Sequence, residues 1–147
     1  MLVSFAPLSI LFHSDCVYIV ENFSRLLPLA AKHNLRVIAY NRRDYTPSSP
    51  FNDAELAAVN GTEDAAHKAF LKDRGLEMAQ FLSWIVREKK IPKASADGKA
   101  GGLALMGWSL ANVFTVAFMK HLASYPKDVL ETLEPYFRTF FLYGKFF

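Results

Sequence analysis

Ser109 stands in the run Gly107-Trp108-Ser109-Leu110-Ala111, between a short apolar stretch, Leu103-Ala104-Leu105-Met106, and a longer apolar segment reaching His121. A serine hydroxyl at such a junction has one chemistry open to it: attack on a carbonyl carbon, if a base takes its proton and donors hold the resulting oxyanion. Gly-x-Ser-x-Ala is one methyl away from Gly-x-Ser-x-Gly, the nucleophile elbow, in which a strand turns sharply into a helix. Small residues two before and two after the serine let neighbouring backbone pass close by. Gly107 meets that need fully and Ala111 less generously. The first N–H groups of the following helix lack intrahelical acceptors and carry the positive end of its dipole, which suits an oxyanion. The competing reading is an ordinary strand-to-helix turn with a serine near the helix cap.

Other chemistries find less support. Cys16 is the one cysteine, so no intrachain disulfide and no Cys/His zinc set can be assembled; its apolar surroundings read as a buried structural thiol. Neither a metal nor an organic cofactor is implied. A net charge of +3 is too small to mark a nucleic-acid binder, and the main basic cluster, Arg87-Glu88-Lys89-Lys90, reads as a solvated helix end. The apolar N-terminus is interrupted by Pro7, His13 and Asp15 and lacks both a basic leader and a cleavage site. It therefore reads neither as a membrane span nor as a signal peptide, and a cytoplasmic location is expected.

The elements around Ser109 follow from pattern. The 147 residues, 52% of them hydrophobic, suit a single domain, 1–147, with a sizeable core. Leu8 to Phe12 reads as a buried strand. Tyr18 to Asn34 reads as a helix with a core face of Phe23, Leu26, Leu27, Ala30 and Ala31, and with a kink or break at Pro28. Leu35 to Tyr40 is a second strand, and Asn41 to Pro50 is a polar loop. Asp53 is placed to cap a short helix, Ala54 to Val59. A long helix runs from Glu63 to about Lys89, weakened locally by Gly75. Leu103 to Met106 is the third strand. Lys127 to about Leu133 is a helix opened by Pro126, and Arg138 to Tyr143 is the fourth strand. Such alternation predicts an α/β fold with about four mostly parallel strands flanked by helices.

Three of these pieces, in this order, resemble the serine-type α/β-hydrolases. Leu8 to His13 resembles the strand leading to that family's oxyanion loop. Asn41-Arg42-Arg43-Asp44-Tyr45-Thr46-Pro47-Ser48 resembles its Asp/Asn-x-Arg-Gly-x-Gly-x-Ser loop. Gly107 to Ala111 resembles its nucleophile elbow. The resemblance implies a partial α/β-hydrolase fold, with these four strands as the third to sixth of eight and a spatial order of second, first, third, fourth. It implies acyl transfer through Ser109, on a small-molecule ester, thioester or amide, with oxyanion donors at Leu110 and in the loop at His13 and Ser14.

Departures accompany it. Ser14 and Asp44 stand where the family often has glycine. The family draws its triad acid and histidine from segments after the sixth strand, which this sequence does not include. Of the four histidines, His121 lies about 18 Å of helical rise from Ser109. His33 and His67 read as surface positions on helices. His13 is expected at the same sheet edge as Ser109, where the family uses the position to shape the oxyanion loop and not as a base. The expectation is therefore either a serine hydrolase or a truncated fragment of one with little activity. The alternative is an inactive α/β fragment that binds partners, self-associating through exposed sheet edges.

Overall fold

The computed structural model describes residues 8–13 and 24–144, which form one parallel sheet and five α-helices. In chain order they are β1 (Leu8–His13), α1 (Leu27–Lys32), β2 (Leu35–Tyr40), α2 (Asp53–Asn60), α3 (Asp64–Glu88), β3 (Leu103–Trp108), α4 (Asn112–Lys120), α5 (Lys127–Leu133) and β4 (Phe137–Tyr143). The spatial order is β2-β1-β3-β4, and every neighbouring pair is parallel. The chain is thus of the α/β class, with the strand order that the resemblance implies. Parallel neighbours cannot be joined by tight hairpins, so each crossover must travel the length of the sheet, and helices fill that path.

Alternation along the strands decides the core. Leu103 and Leu105 share one face of β3 and are fully buried against Met78, Leu82, Ile85 and Val86 of α3 and Phe118 of α4. Burying each such leucine contributes roughly 1.5–3 kcal/mol. The 25-residue helix α3 spans the sheet, with α4 and α5 packed beside it. Its last turn, Arg87 and Glu88 with Lys89 and Lys90 beyond it, is exposed, as a solvated helix end should be.

Gly75 has a packing role that its low helix propensity does not suggest. A Cβ there would collide with Tyr125 Oη and lie 3.0 Å from the carbonyl oxygen of Ala117. Its absence lets α3 and α4 approach closely, while Tyr125 Oη donates to the carbonyl of Phe118 at 3.1 Å.

Two expectations are corrected and one is narrowed. Of the kink or break expected at Pro28, the structure shows the break. The proline sits in the first turn of α1, where its missing N–H costs nothing. Leu27 and Ala31, expected in the core, are exposed, and of the residues of α1 only Ala30 is buried. The expected N-terminal part of that helix, Tyr18 to Phe23, lies outside the described residues. The cap of α2 is Asn52 and not Asp53: Asn52 Oδ1 accepts from Glu55 N at 2.9 Å, and Glu55 Oε2 accepts from Asn52 N at 2.8 Å. This reciprocal pair satisfies two N–H groups, and Asp53 one residue later cannot reproduce it.

Candidate active site

β3 delivers Ser109 to the rim formed by the C-terminal ends of the strands, the edge at which open α/β sheets bind ligands. Trp108 is still extended, with φ −113° and ψ 126°, and Ser109 then takes φ +52°. That left-handed conformation costs a non-glycine residue about 1–2 kcal/mol. Ser109–Ala111 form a 3-10 turn that runs directly into α4. The chain thus reverses from strand to helix at a single strained residue.

The neighbours of Ser109 explain their own sizes. A Cβ on Gly107 would stand 2.5 Å from Asn112 Oδ1 and 2.7 Å from Thr115 Oγ1, so only glycine lets β3 pass beneath the first turns of α4. Ala111 is buried with its methyl accommodated. After β4, Gly144 takes φ +102°, and a Cβ there would lie 3.1 Å from Ser109 N. Gly144 is therefore a part of the site that sequence reasoning missed. A glycine one residue past the last strand, in a fold whose strand ends converge, was the available signal.

Leu110 follows Ser109 in the turn, and its N–H belongs to the opening turn of the helical run, where backbone donors lack intrahelical acceptors. Its side chain is exposed. His13 ends β1 and is in register with Gly107 on β3, one strand spacing of about 4.8 Å away. It also pairs with Tyr40, the last residue of β2. The backbones of His13 and Ser109 thus share one rim, with the loop after β2 on the same side. Ser14 lies outside the described residues, as does Cys16.

That loop keeps the turn expected of it despite its departure from glycine. Asp44 takes φ +70°, a region aspartate tolerates better than most residues. Its N–H donates to Ser49 O at 2.9 Å, and its Oδ1 accepts from Phe51 N at 3.3 Å. Ser48 Oγ donates to Asn41 O at 2.8 Å. Arg43 points back into the protein and forks onto Glu55, with both contacts at 2.7 Å. Arg74 adds a contact to Glu55 at 2.6 Å. The hydrogen bonds from Arg43, then those from the Asn52 backbone and Arg74, pull the Glu55 carboxyl down to about 2.

The remaining described histidines are elsewhere. His33 ends α1 just before β2 begins, and His121 ends α4, so both lie toward the opposite rim. His67 Nε2 is 3.0 Å from the carbonyl of Gly61. Among the described residues no group of three His, Cys, Asp or Glu side chains is arranged to hold a metal, and no helix is long and apolar enough to cross a membrane. The chain matches no family of known proteins, no curated protein and no solved structure.

Proposed function

We propose that the chain is a serine-type acyl hydrolase of the α/β-hydrolase kind, or a portion of one, with Ser109 as nucleophile. The observation that carries this reading is the left-handed φ of +52° at Ser109, on the C-terminal end of a central parallel strand. Backbone strain of this size persists only where the surroundings enforce it, and it concentrates at functional positions. Here Gly107, Ala111 and Gly144 make the room that enforcement requires.

In the proposed reaction Ser109 Oγ attacks the carbonyl carbon of an ester, thioester or amide while a base takes its proton. The tetrahedral oxyanion is held by the N–H of Leu110 and by one from the loop at His13 and Ser14. Collapse expels the alcohol, thiol or amine and leaves an acyl group on Ser109, which water then removes. His33 and His121 lie toward the opposite rim and are not the base.

A second reading is a catalytically silent α/β module that binds a partner through its sheet edge. It is favoured by the exposure of Phe141, Leu142 and Tyr143 along β4, an edge strand of the described sheet. Treatment with a fluorophosphonate separates the two. The hydrolase reading expects an adduct on the tryptic peptide 100–120 that is absent in Ser109→Ala. An unlabelled Ser109 in folded protein overturns it.

A further inference from the structure

Away from Ser109, a cavity of about 510 Å³ opens between the loop after β2, the middle of α3 and Phe114 of α4. Its size is within the range of small-molecule sites. Phe51, Phe81, Phe114 and Met78 give it aromatic and thioether walls. Three guanidiniums line it, those of Arg42, Arg43 and Arg74.

Charge balance separates these three. Arg43 and Arg74 are both engaged with Glu55 and Glu77, at contacts between 2.6 and 3.6 Å. Arg42 meets no carboxylate among the described residues. Its guanidinium carbon lies 4.7 Å from the ring centroid of Tyr45 and 4.7 Å from that of Phe114. Its Nη2 donates to Tyr45 Oη at 2.9 Å, and its Nε is buried without an acceptor. The two rings and one hydrogen bond thus hold a full positive charge in place with no counterion among the described residues.

We propose that this cavity binds an aromatic carboxylate, with the carboxylate on Arg42 and the ring system among Phe51, Phe81 and Phe114. A planar guanidinium matches a carboxylate in geometry as well as charge. Because the rings already fix Arg42, binding forfeits little of its rotamer freedom. Aromatic walls favour a flat, polarisable body over an alkyl chain of equal volume. Ser109 does not line the cavity, so the site stands independently of the hydrolase reading.

The test is titration calorimetry of the folded chain with 2-naphthoate and with its neutral isostere, 2-naphthamide. Naphthoate should bind at least about tenfold more tightly, the scale of one charge-assisted hydrogen bond. Arg42→Met keeps an apolar stem between the two rings and should bring the two ligands to equal affinity. Arg42→Lys should keep part of the preference. Ser109→Ala should bind naphthoate as the unaltered chain does. Backbone amide shifts on adding naphthoate to the unaltered chain should centre on Arg42, Phe51 and Phe81, a readout that needs no variant to fold. Equal affinity for the two ligands in the unaltered chain, a preference that survives in Arg42→Met, or shifts centred on Ser109 would each overturn the proposal.

Discussion

Asn112 Nδ2 donates to the carbonyl oxygen of Tyr143 at 3.1 Å, tying the first turn of α4 to the last residue of β4. The same side chain limits β3 from the other side, since its Oδ1 occupies the space a Cβ on Gly107 would need. One buried amide therefore sets the spacing of the three segments that converge on Ser109. Trp108 and Tyr143 reinforce the convergence, with ring centroids 4.7 Å apart.

Gly107→Ala should destabilise the protein by about 1–3 kcal/mol, because Asn112 and Thr115 are both fully buried and have no room to retreat. In an Asn112→Ala background that cost should fall by about 0.5 kcal/mol or more, since one of the two clashes is gone. Urea unfolding of the four proteins in the cycle measures the coupling. Strict additivity would show that the amide does not set the spacing.

Ser109→Gly should be more stable than Ser109→Ala by about 1 kcal/mol, because glycine takes positive φ without steric penalty whereas alanine retains it. Both variants lose the hydroxyl, so their difference isolates the backbone. Equal midpoints in chemical denaturation would mean that the elbow is not strained.

Gly75→Ala sets two effects against each other. Helix propensity favours alanine by about 1 kcal/mol. The methyl must displace Tyr125 Oη and press on the Ala117 carbonyl, an overpacking cost of about 1–3 kcal/mol. Net destabilisation is expected, and Gly75→Ala combined with Tyr125→Phe should recover part of it. A stabilised single variant, read from its thermal midpoint, would show that the α3–α4 contact is loose.

Glu55 gives a pH dependence with a definite sign. Its carboxyl is lowered from 4.5 to about 2, first by Arg43 and then by the Asn52 backbone and Arg74. The folded state therefore binds that proton less readily than the unfolded chain. The stabilisation is present in full above the unfolded value and is lost as pH falls through about 2. The stability gap between the unaltered chain and Glu55→Gln should be widest near pH 6 and should close progressively below pH 4.5. A gap independent of pH would mean that the carboxylate charge does not hold this cluster.

Much of this arrangement is legible in the sequence because its signals are local. Leu35–Tyr40 and Lys127–Leu133 have the predicted bounds, set by a run of apolar residues in one case and by a preceding proline in the other. The strand-to-helix turn at Ser109 is legible for the same reason: Gly107, Ser109 and Ala111 lie within five residues, and the steric demand on Gly107 is made by the helix that follows them. Where a local rule had two candidates, reading erred. Asp53 and Asn52 are both good caps, and the choice fell to which of them could exchange hydrogen bonds with Glu55. Pro28 left a kink and a break both open, and the start of α1 at Leu27 decided for the break.

What tertiary structure alone decided are contacts between residues far apart in the chain. Gly75 reads as a weak point in a helix until Tyr125, fifty residues on, is seen to fill the gap it leaves. Gly144 reads as an ordinary glycine after a strand until the parallel register brings it against Ser109. Arg42 and Arg43 are adjacent and chemically alike. Alternate side chains leave the backbone in different directions, so Arg43 reaches Glu55 while Arg42 is clamped between Tyr45 and Phe114. Local sequence sets where strands and helices begin and end, through steric and hydrogen-bonding limits that act within a few residues. Which charge is neutralised and which is left facing a cavity depends on distances between elements, and only the packed fold sets those.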